Sequence, residues 1–150
     1  MKKMFKVSYI DKTIIDKINF ILENNNLIKD DKTCTVGGYQ TNNIVDLFSE
    51  DLLKKILPEE NFYKKIFHLH YINYNLNGYQ RRHKHDLTEK YSFILYLNNA
   101  NGDTVFEEPI NKRISPEIGK LIFFSSNIWH MSKISNNKKR VLVGAIDKIQ

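Results

Sequence analysis

The stretch RRHKHDLTEKYSFILYLNN, residues 81–99, decides the fold and raises the question of function. A basic, polar segment carrying His83 and His85 runs directly into an apolar, aromatic segment of strand length, residues 91–99. Side chains at positions i and i+2 of an extended chain point to the same side, about 6.6 Å apart along the backbone. The two imidazoles are therefore either ligands for one metal ion or two surface residues.

The sequence around this stretch has strand character. Residues 62–76 are rich in aromatic and β-branched side chains and predict one long strand, and NGYQ at 77–80 predicts a turn. Short apolar segments separated by Gly, Asn and Pro follow: TVFEEP, LIFF, NIWHMSKIS and KRVLVGAID. About six or seven strands at such spacings are typical of an antiparallel sandwich or barrel.

The first sixty residues are predicted to be mostly helical. KVSYI at 6–10 indicates a short strand, and residues 11–26 have apolar side chains at helical spacing. TVGGYQT at 35–41 is interpreted as a glycine-containing loop, and residues 42–60 predict one or two short helices that end at Pro58. We expect one α+β domain, residues 1–150, with helices from the first sixty residues packed on one sheet of a β core formed by residues 62–150.

Composition limits the function classes. The 150 residues carry a formal net charge of +6, but the lysines are scattered, so we do not expect nucleic acid as a partner. A single cysteine, Cys34, excludes an intramolecular disulfide and fits a reducing cytoplasm. The sequence has no apolar run of about 18 residues and no signal-peptide core, so a soluble, cytoplasmic protein without a membrane span is expected.

The five histidines fall into three groups. His68 and His70 alternate on the first long strand, and their bulky apolar neighbours favour a structural interpretation. His83 and His85 lie at the beginning of a strand, and His130 ends another apolar segment, LIFFSSNIWH. Because facing sheets lie only about 10 Å apart, two ligands on one strand and a third from a distant strand are a frequent way to build a metal site.

Arg140 lies ten residues after His130, at the start of the segment RVLVGAID. Three neutral imidazoles leave a divalent metal ion with its full charge, so a dianionic ligand would bind well beside it. A guanidinium further inside can hold the far carboxylate of such a ligand with two hydrogen bonds. Otherwise Arg140 is a solvated strand-end residue. Tyr96 either donates its hydroxyl to the same carboxylate or is a core aromatic residue.

These elements together resemble the 2-oxoglutarate/Fe(II)-dependent oxygenases, in particular the prolyl-hydroxylase-like branch. The resemblance covers about residues 70–147 and follows the order H-x-H, a strand ending in YLN, a Gly turn with TVF, P-x-x-G with an apolar strand and His, and then Arg. It implies a double-stranded β-helix (jelly-roll, cupin-like) core, an iron ion in its opening, and 2-oxoglutarate bound to that iron. The implied reaction hydroxylates an unidentified small-molecule or peptide substrate and releases succinate and CO₂.

Carried over from the resemblance, His83 and His130 match the metal histidines of the family, Arg140 the basic residue that holds 2-oxoglutarate, and Tyr96 a tyrosine that supports it. The sequence departs from the family at His85, where most members have Asp or Glu and so complete a triad of two histidines and one carboxylate. We expect His85 to be the third ligand. Asp86 follows directly, but on a regular strand it would face the other way.

Two other functions remain open at this stage. The pattern G-x4-H-x-H-x3-E, from Gly78 to Glu89, also resembles the first motif of the cupins. Three histidines and Glu89 would then hold a metal for a dioxygenase or isomerase that uses no 2-oxoglutarate. Alternatively, the chain is a non-catalytic basic protein that binds a partner. Trp129 and the basic residues Arg81, Arg82 and Lys84 are expected to line the entrance of the site. The sequence indicates neither the substrate nor the oligomeric state.

Overall fold

The computed structural model describes residues 3–30, 33–85 and 89–148. In chain order its elements are β1 (Phe5–Tyr9), α1 (Lys12–Glu23), β2 (Lys29–Asp30), β3 (Thr35–Thr41), α2 (Glu50–Ile56), β4 (Ile66–His83), β5 (Glu89–Tyr96), β6 (Thr104–Phe106), β7 (Lys112–Ile114), β8 (Lys120–Ser125), β9 (His130–Ser132) and β10 (Lys139–Lys148). Short 3-10 segments, Val45–Leu47 and Glu59–Lys65, flank α2.

The strands form one curled, antiparallel sheet of the jelly-roll kind. Its order is β1-β8-β5-β10-β4-β9-β6-β7, with β3 also paired to β4 and β2 to β3. Strand β4 pairs with β10 along its first half and with β9 near its end, where His83 lies opposite His130. One long strand therefore contributes to both walls of the curled sheet.

The two faces of this sheet bury different side chains. The larger apolar cluster contains residues of α1 and α2 together with residues of β4, β5, β8 and β10. In α1 the buried residues Ile14, Ile15, Ile18 and Leu22 recur at helical spacing. The smaller cluster lies on the inner, concave face and includes Ile72, Tyr96, Phe106, Phe124 and Val141.

The structure differs from the sequence prediction at two places on β4 and its neighbour. Residues 35–41, interpreted as a loop, form β3, and residues 77–80, predicted as a turn, lie within β4. The reason is a paired irregularity: Asn77 has a φ of 65° and Gly37 a φ of 71°, and the register of the two strands shifts there. A Cβ on Gly78 would lie 2.1 Å from the Gly37 carbonyl oxygen. The glycines thus allow close strand pairing instead of ending the strand.

The predicted beginning of the long strand is also too early. Residues 59–65 are a 3-10 segment, and β4 begins at Ile66. Between Ile66 and Lys148, the described residues contain seven strands, β4 to β10. Within the described ranges, neither helix is long and apolar enough to cross a membrane.

Candidate metal centre

Three histidines converge at one point on the inner face of the curled sheet. His83, His85 and His130 each offer one ring nitrogen, and these nitrogens all lie within 4.8 Å of one another. His83 and His130 are direct partners in the pairing of β4 with β9, and His85 follows His83 by two residues. The structure therefore brings together the three side chains that the sequence predicts as metal ligands.

Hydrogen bonds fix the tautomer of two of these rings. The Nδ1 atom of His83 lies 2.6 Å from the carbonyl oxygen of Arg81, and Nδ1 of His130 lies 2.8 Å from that of Ile128. A carbonyl only accepts, so Nδ1 is the protonated nitrogen in both rings. Each Nε2 consequently keeps its lone pair for a metal ion.

Burial keeps both rings uncharged. Loss of solvent lowers the pKa of His83 to about 4, and it lowers the pKa of His130 to about 3, with a further contribution from the neighbouring His83. Neutral imidazole is the form that binds metals. Both rings are therefore ready to bind a metal ion at neutral pH, without first losing a proton.

A cavity of about 290 Å³ opens beside the triad and is lined by all five histidines of the chain. His68 and His70, interpreted as structural residues from the sequence, belong to its wall. Nδ1 of His70 lies 2.9 Å from the Thr41 carbonyl oxygen, and its Nε2 lies 3.2 Å from Nδ1 of His68. His68 and His70 are two residues apart on one strand, and this spacing in the sequence was the available sign that both lie on the same face of the sheet.

Glu89 is buried in the same wall. Its side chain is 5% exposed, and its Oε1 accepts a hydrogen bond of 2.7 Å from Ser92 Oγ. Oε2 lies 3.4 Å from Nε2 of His68, and Oε1 lies 3.6 Å from Nδ1 of His85. Among the described residues, the carboxylate does not join the group of mutually close ligand atoms. The four-ligand site expected for a cupin is not formed in this arrangement.

Arg140 is not brought together with the histidines. On β10 it alternates with the inward residues, and its Nη1 donates a hydrogen bond of 2.8 Å to Asn19 Oδ1 on α1. Leu142, two residues further and on the same face, belongs to the cluster that contains the helices. The guanidinium therefore lies on the outer side of the sheet, away from the cavity.

The inward cation of β10 is the preceding residue, Lys139. It is 1% exposed, and its Nζ donates a hydrogen bond of 2.8 Å to the Gly102 carbonyl and another to Ser132 Oγ. Ser132 follows His130 by two residues on β9, so both point to the same side, about 6.6 Å apart along the strand. Lys139 is therefore bonded to the strand that carries His130, at the buried end of the interior.

The sequence predicts the neighbouring residue, Arg140, in the place that Lys139 occupies. Lys139 shares its face with Val141 of the inner cluster, and this alternation was the available signal. Burial lowers the pKa of Lys139 to about 8. Tyr96 lies at the same end: it is fully buried, its hydroxyl contacts Thr104 Oγ1, and burial raises its pKa.

The other candidate residues take different positions. Arg82 stacks on Trp129, with its Cζ 3.8 Å from the ring centroid, and pairs with Glu107. Lys84 lies 5.1 Å from the same ring. None of these three side chains lines the cavity. Asp86, the alternative ligand, lies outside the described residues.

Comparisons with known proteins identify solved structures that share this fold. No family model matches the sequence, and no curated protein matches it. Among solved structures, the viral collagen prolyl hydroxylase vCPH of Paramecium Bursaria Chlorella virus-1, in complex with 2-oxoglutarate, matches 95% of this chain and 94% of its own, with a TM-score of 0.68 and 15% identity.

The chain has the fold of the 2-oxoglutarate/Fe(II) oxygenases. A Trichoplax adhaerens prolyl hydroxylase, bound to a peptide of hypoxia inducible factor, matches over 95% of this chain and 83% of its own, with a TM-score of 0.67 and 12% identity. HygX of Streptomyces hygroscopicus, with nickel and 2-oxoglutarate bound, matches over 93% of this chain and 81% of its own, with a TM-score of 0.68 and 6% identity. The resemblance predicted from the sequence is confirmed at the level of the fold.

Proposed function

We propose that this chain is an Fe(II)- and 2-oxoglutarate-dependent oxygenase that hydroxylates an unactivated C–H bond of a small molecule or peptide. The observation that supports it is the convergence of the three imidazoles of His83, His85 and His130, at the edge of a cavity, within a fold whose solved examples bind 2-oxoglutarate and a metal ion.

The donor set fits the proposed metal ion. Imidazole nitrogen is a suitable ligand for Fe(II), and three protein ligands leave positions open for other molecules. His83 and His130 present unprotonated Nε2 atoms because their Nδ1 atoms are already bonded to carbonyls. These bonds also hold the ring orientations before a metal ion arrives.

Lys139 fits the second carboxylate of 2-oxoglutarate better than Arg140 does. Its ammonium is buried on the inner face, and among the described residues no carboxylate forms an ion pair with it. Asp103 favours the charged form of this lysine from beyond ion-pair distance. A bound carboxylate would supply the contacting counter-ion that a buried cation needs. Lys139 would thus hold 2-oxoglutarate at the buried end, with Ser132 beside it.

The remaining residues of the cavity would exclude water from the metal centre and leave an opening for the substrate. When bound, the iron and 2-oxoglutarate supply the oxidising chemistry, in which O₂ is consumed and succinate and CO₂ are released. Ile94, Phe124 and Val143 provide apolar wall that excludes water near the metal centre. His68 and His85 have side chains 31% and 41% exposed, so the cavity opens at this end for a substrate.

Anaerobic titration tests the proposal. Addition of 2-oxoglutarate to the Fe(II)-loaded protein should produce a visible metal-to-ligand charge-transfer band, and aerobic turnover with a substrate should produce succinate. A folded protein that binds Fe(II) but gives no such band on addition of 2-oxoglutarate would contradict the proposed function.

Alanine variants of the adjacent residues Lys139 and Arg140 can be compared in the same titration. Lys139→Ala should weaken 2-oxoglutarate binding at least tenfold while the metal content stays unchanged, because it removes the inward cation. Arg140→Ala removes an outward cation from the same strand and should change 2-oxoglutarate binding less than twofold. The reverse order of effects would assign the carboxylate to Arg140 instead.

A further inference from the structure

We propose that Glu89 is a positioning residue that acts through His85, and that its buried carboxylate gives the all-histidine metal centre the negative charge that its ligands lack. This inference rests on the metal centre of the proposed function. It assigns a role to a residue outside the three ligands and explains how a site without a ligating carboxylate can hold a divalent ion.

The three ligands leave a charge deficit. The facial triad common in Fe(II) oxygenases contains one carboxylate beside two histidines. Here the corresponding position is His85, so the three imidazole ligands would bring no negative charge to offset that of a bound ion. Among the described residues, Glu89 supplies a carboxylate beside one of the rings.

Glu89 has the geometry for this role. Its Oε1 lies 3.6 Å from Nδ1 of His85, the ring nitrogen on the side opposite Nε2. The hydroxyl of Ser92 donates to the same oxygen and holds the carboxylate in place. His83 and His130 instead direct their Nδ1 atoms to backbone carbonyls. Among the described residues, His85 is therefore the one of the three in ion-pair contact with a carboxylate, and Glu89 acts on His83 only from further away.

The surroundings of Glu89 also favour a cation bound nearby. Its side chain is 5% exposed, and burial of an ionised carboxylate is unfavourable unless a cation or several hydrogen bonds compensate for it. Within the described ranges, its ion-pair partners are His68 and His85, and no lysine or arginine pairs with it. A divalent ion bound on the far side of His85 would provide the compensation.

The carboxylate of Glu89 is expected to raise the affinity of the site for a metal ion. A carboxylate beside the distal nitrogen of a ligating histidine orients the ring and raises the basicity of the nitrogen that binds the metal. At 3.6 Å the Glu89 carboxylate is in ion-pair contact with His85, and we expect a bound metal ion to draw the two groups into a hydrogen bond. Loss of such a partner typically lowers metal affinity about 10- to 100-fold. Because the effect passes through one ring, it depends on that ring being present.

Titration of the metal-free protein with Co(II), without 2-oxoglutarate, measures this effect. Glu89→Gln keeps the size of the side chain and removes its charge, and it should weaken Co(II) binding about 10- to 100-fold. Glu107→Gln is the matched control, because it removes a carboxylate that pairs with Arg82 on the outer side. Its Co(II) affinity should stay within twofold of that of the unaltered protein. Equal affinities of Glu89→Gln and the unaltered protein would overturn the proposal.

A double-mutant cycle tests whether Glu89 acts through His85. In a His85→Ala background, Glu89→Gln should cause less than a twofold further loss of Co(II) affinity, because the ring that transmits the charge is absent. A full 10-fold loss in that background would show that Glu89 acts independently of His85, and it would overturn the proposed route.

Two further measurements complete the test. If Glu89→Gln does not fold, Glu89→Asp decides the matter, since it keeps the charge but withdraws it from His85: weaker Co(II) binding supports the proposal and unchanged binding opposes it. In the folded Gln variant, the Fe(III)/Fe(II) potential should rise, which a packing defect alone does not require. Failure of the charge-transfer band with 2-oxoglutarate would count against the proposed function only, since the Co(II) measurements contain no 2-oxoglutarate.

Discussion

Lys139 and Arg140 are adjacent cations on β10 with opposite surroundings. Lys139 faces Ser132 and the ring of Tyr74 in the interior, whereas Arg140 bonds Asn19 on α1. Side chains alternate along a strand, so a shift of one position exchanges the inside for the outside. At the residue scale, the identity of the inward cation decides how an anionic co-substrate would be held.

The charge state of Lys139 leads to a prediction on pH. Its pKa in the free protein is about 8, below the ordinary value because of burial, so the ammonium is half deprotonated near pH 8 and mostly neutral above it. Binding of a carboxylate requires the protonated form. We therefore expect the affinity of the Zn(II)-loaded protein for 2-oxoglutarate to fall as the pH rises above about 8, measured by calorimetry.

The matched variant for this prediction is Lys139→Arg. A guanidinium stays protonated throughout this range, so the affinity of the variant for 2-oxoglutarate should be nearly constant between about pH 7 and pH 9.5. Parallel pH profiles for the variant and the unaltered protein would show that a group other than Lys139 titrates.

The sequence alone was sufficient to predict that His83, His85 and His130 come together, and insufficient to identify the inward cation of β10. His83, His85 and His130 were predictable because each stands at the end or beginning of a recognisable apolar strand, and H-x-H fixes two of them on one face. The distinction between Lys139 and Arg140 depends on where β10 enters the sheet and on its pairing with Tyr74, which the local sequence does not contain. The pair His68–His70 joins the cavity wall only through the curl of the sheet.

At the element scale, β4 connects the two walls of the cavity. Its 18 residues carry His68 and His70 on the wall formed with β10, and His83 on the wall formed with β9. The irregularity at Asn77 and Gly78 lies between these segments. The sequence predicted a turn there because Asn-Gly commonly forms one, but tertiary pairing with β3 keeps the chain extended.

A substitution at Gly78 tests the role of this irregularity. A Cβ there would lie 2.1 Å from the Gly37 carbonyl oxygen, and backbone on both strands would have to move. Gly78→Ala should therefore lower the free energy of unfolding by about 1–3 kcal/mol, measured by urea denaturation. Leu76→Ala, at a position 60% exposed on the same strand, should change it by less than about 0.5 kcal/mol. An equal loss in both variants would contradict the close approach.

At the scale of the whole molecule, the interior of the curled sheet is polar at both ends. Lys139, Tyr74 and Tyr96 occupy the buried end, and the histidines with Glu89 occupy the open end. Apolar residues such as Ile72, Ile94 and Val141 lie between them. The helix-facing cluster provides most of the apolar burial, so the interior can keep ionisable groups that an ordinary core would exclude.

These buried histidines make the stability of the metal-free protein depend on pH. In the unfolded chain a histidine titrates near pH 6.5, whereas in the folded protein the pKa of His83 is about 4 and that of His130 about 3. Between these values the unfolded state binds more protons than the folded state. The contribution of these histidines to the free energy of unfolding is therefore fully present above pH 6.5 and is lost as the pH decreases towards 4 and then 3. Each histidine contributes a slope that approaches about 1.4 kcal/mol per pH unit.

Urea denaturation of the chelator-treated protein between pH 7.5 and pH 5 measures this dependence. His130→Gln removes one of the rings whose pKa is lowered while keeping a polar side chain. Its free energy of unfolding should therefore fall less steeply with decreasing pH than that of the unaltered protein. The range ends at about pH 5 because carboxylates begin to titrate below it. Identical slopes would mean that His130 is already protonated or solvated in the folded state, and the interior would then be more open to water than its 3% exposure indicates.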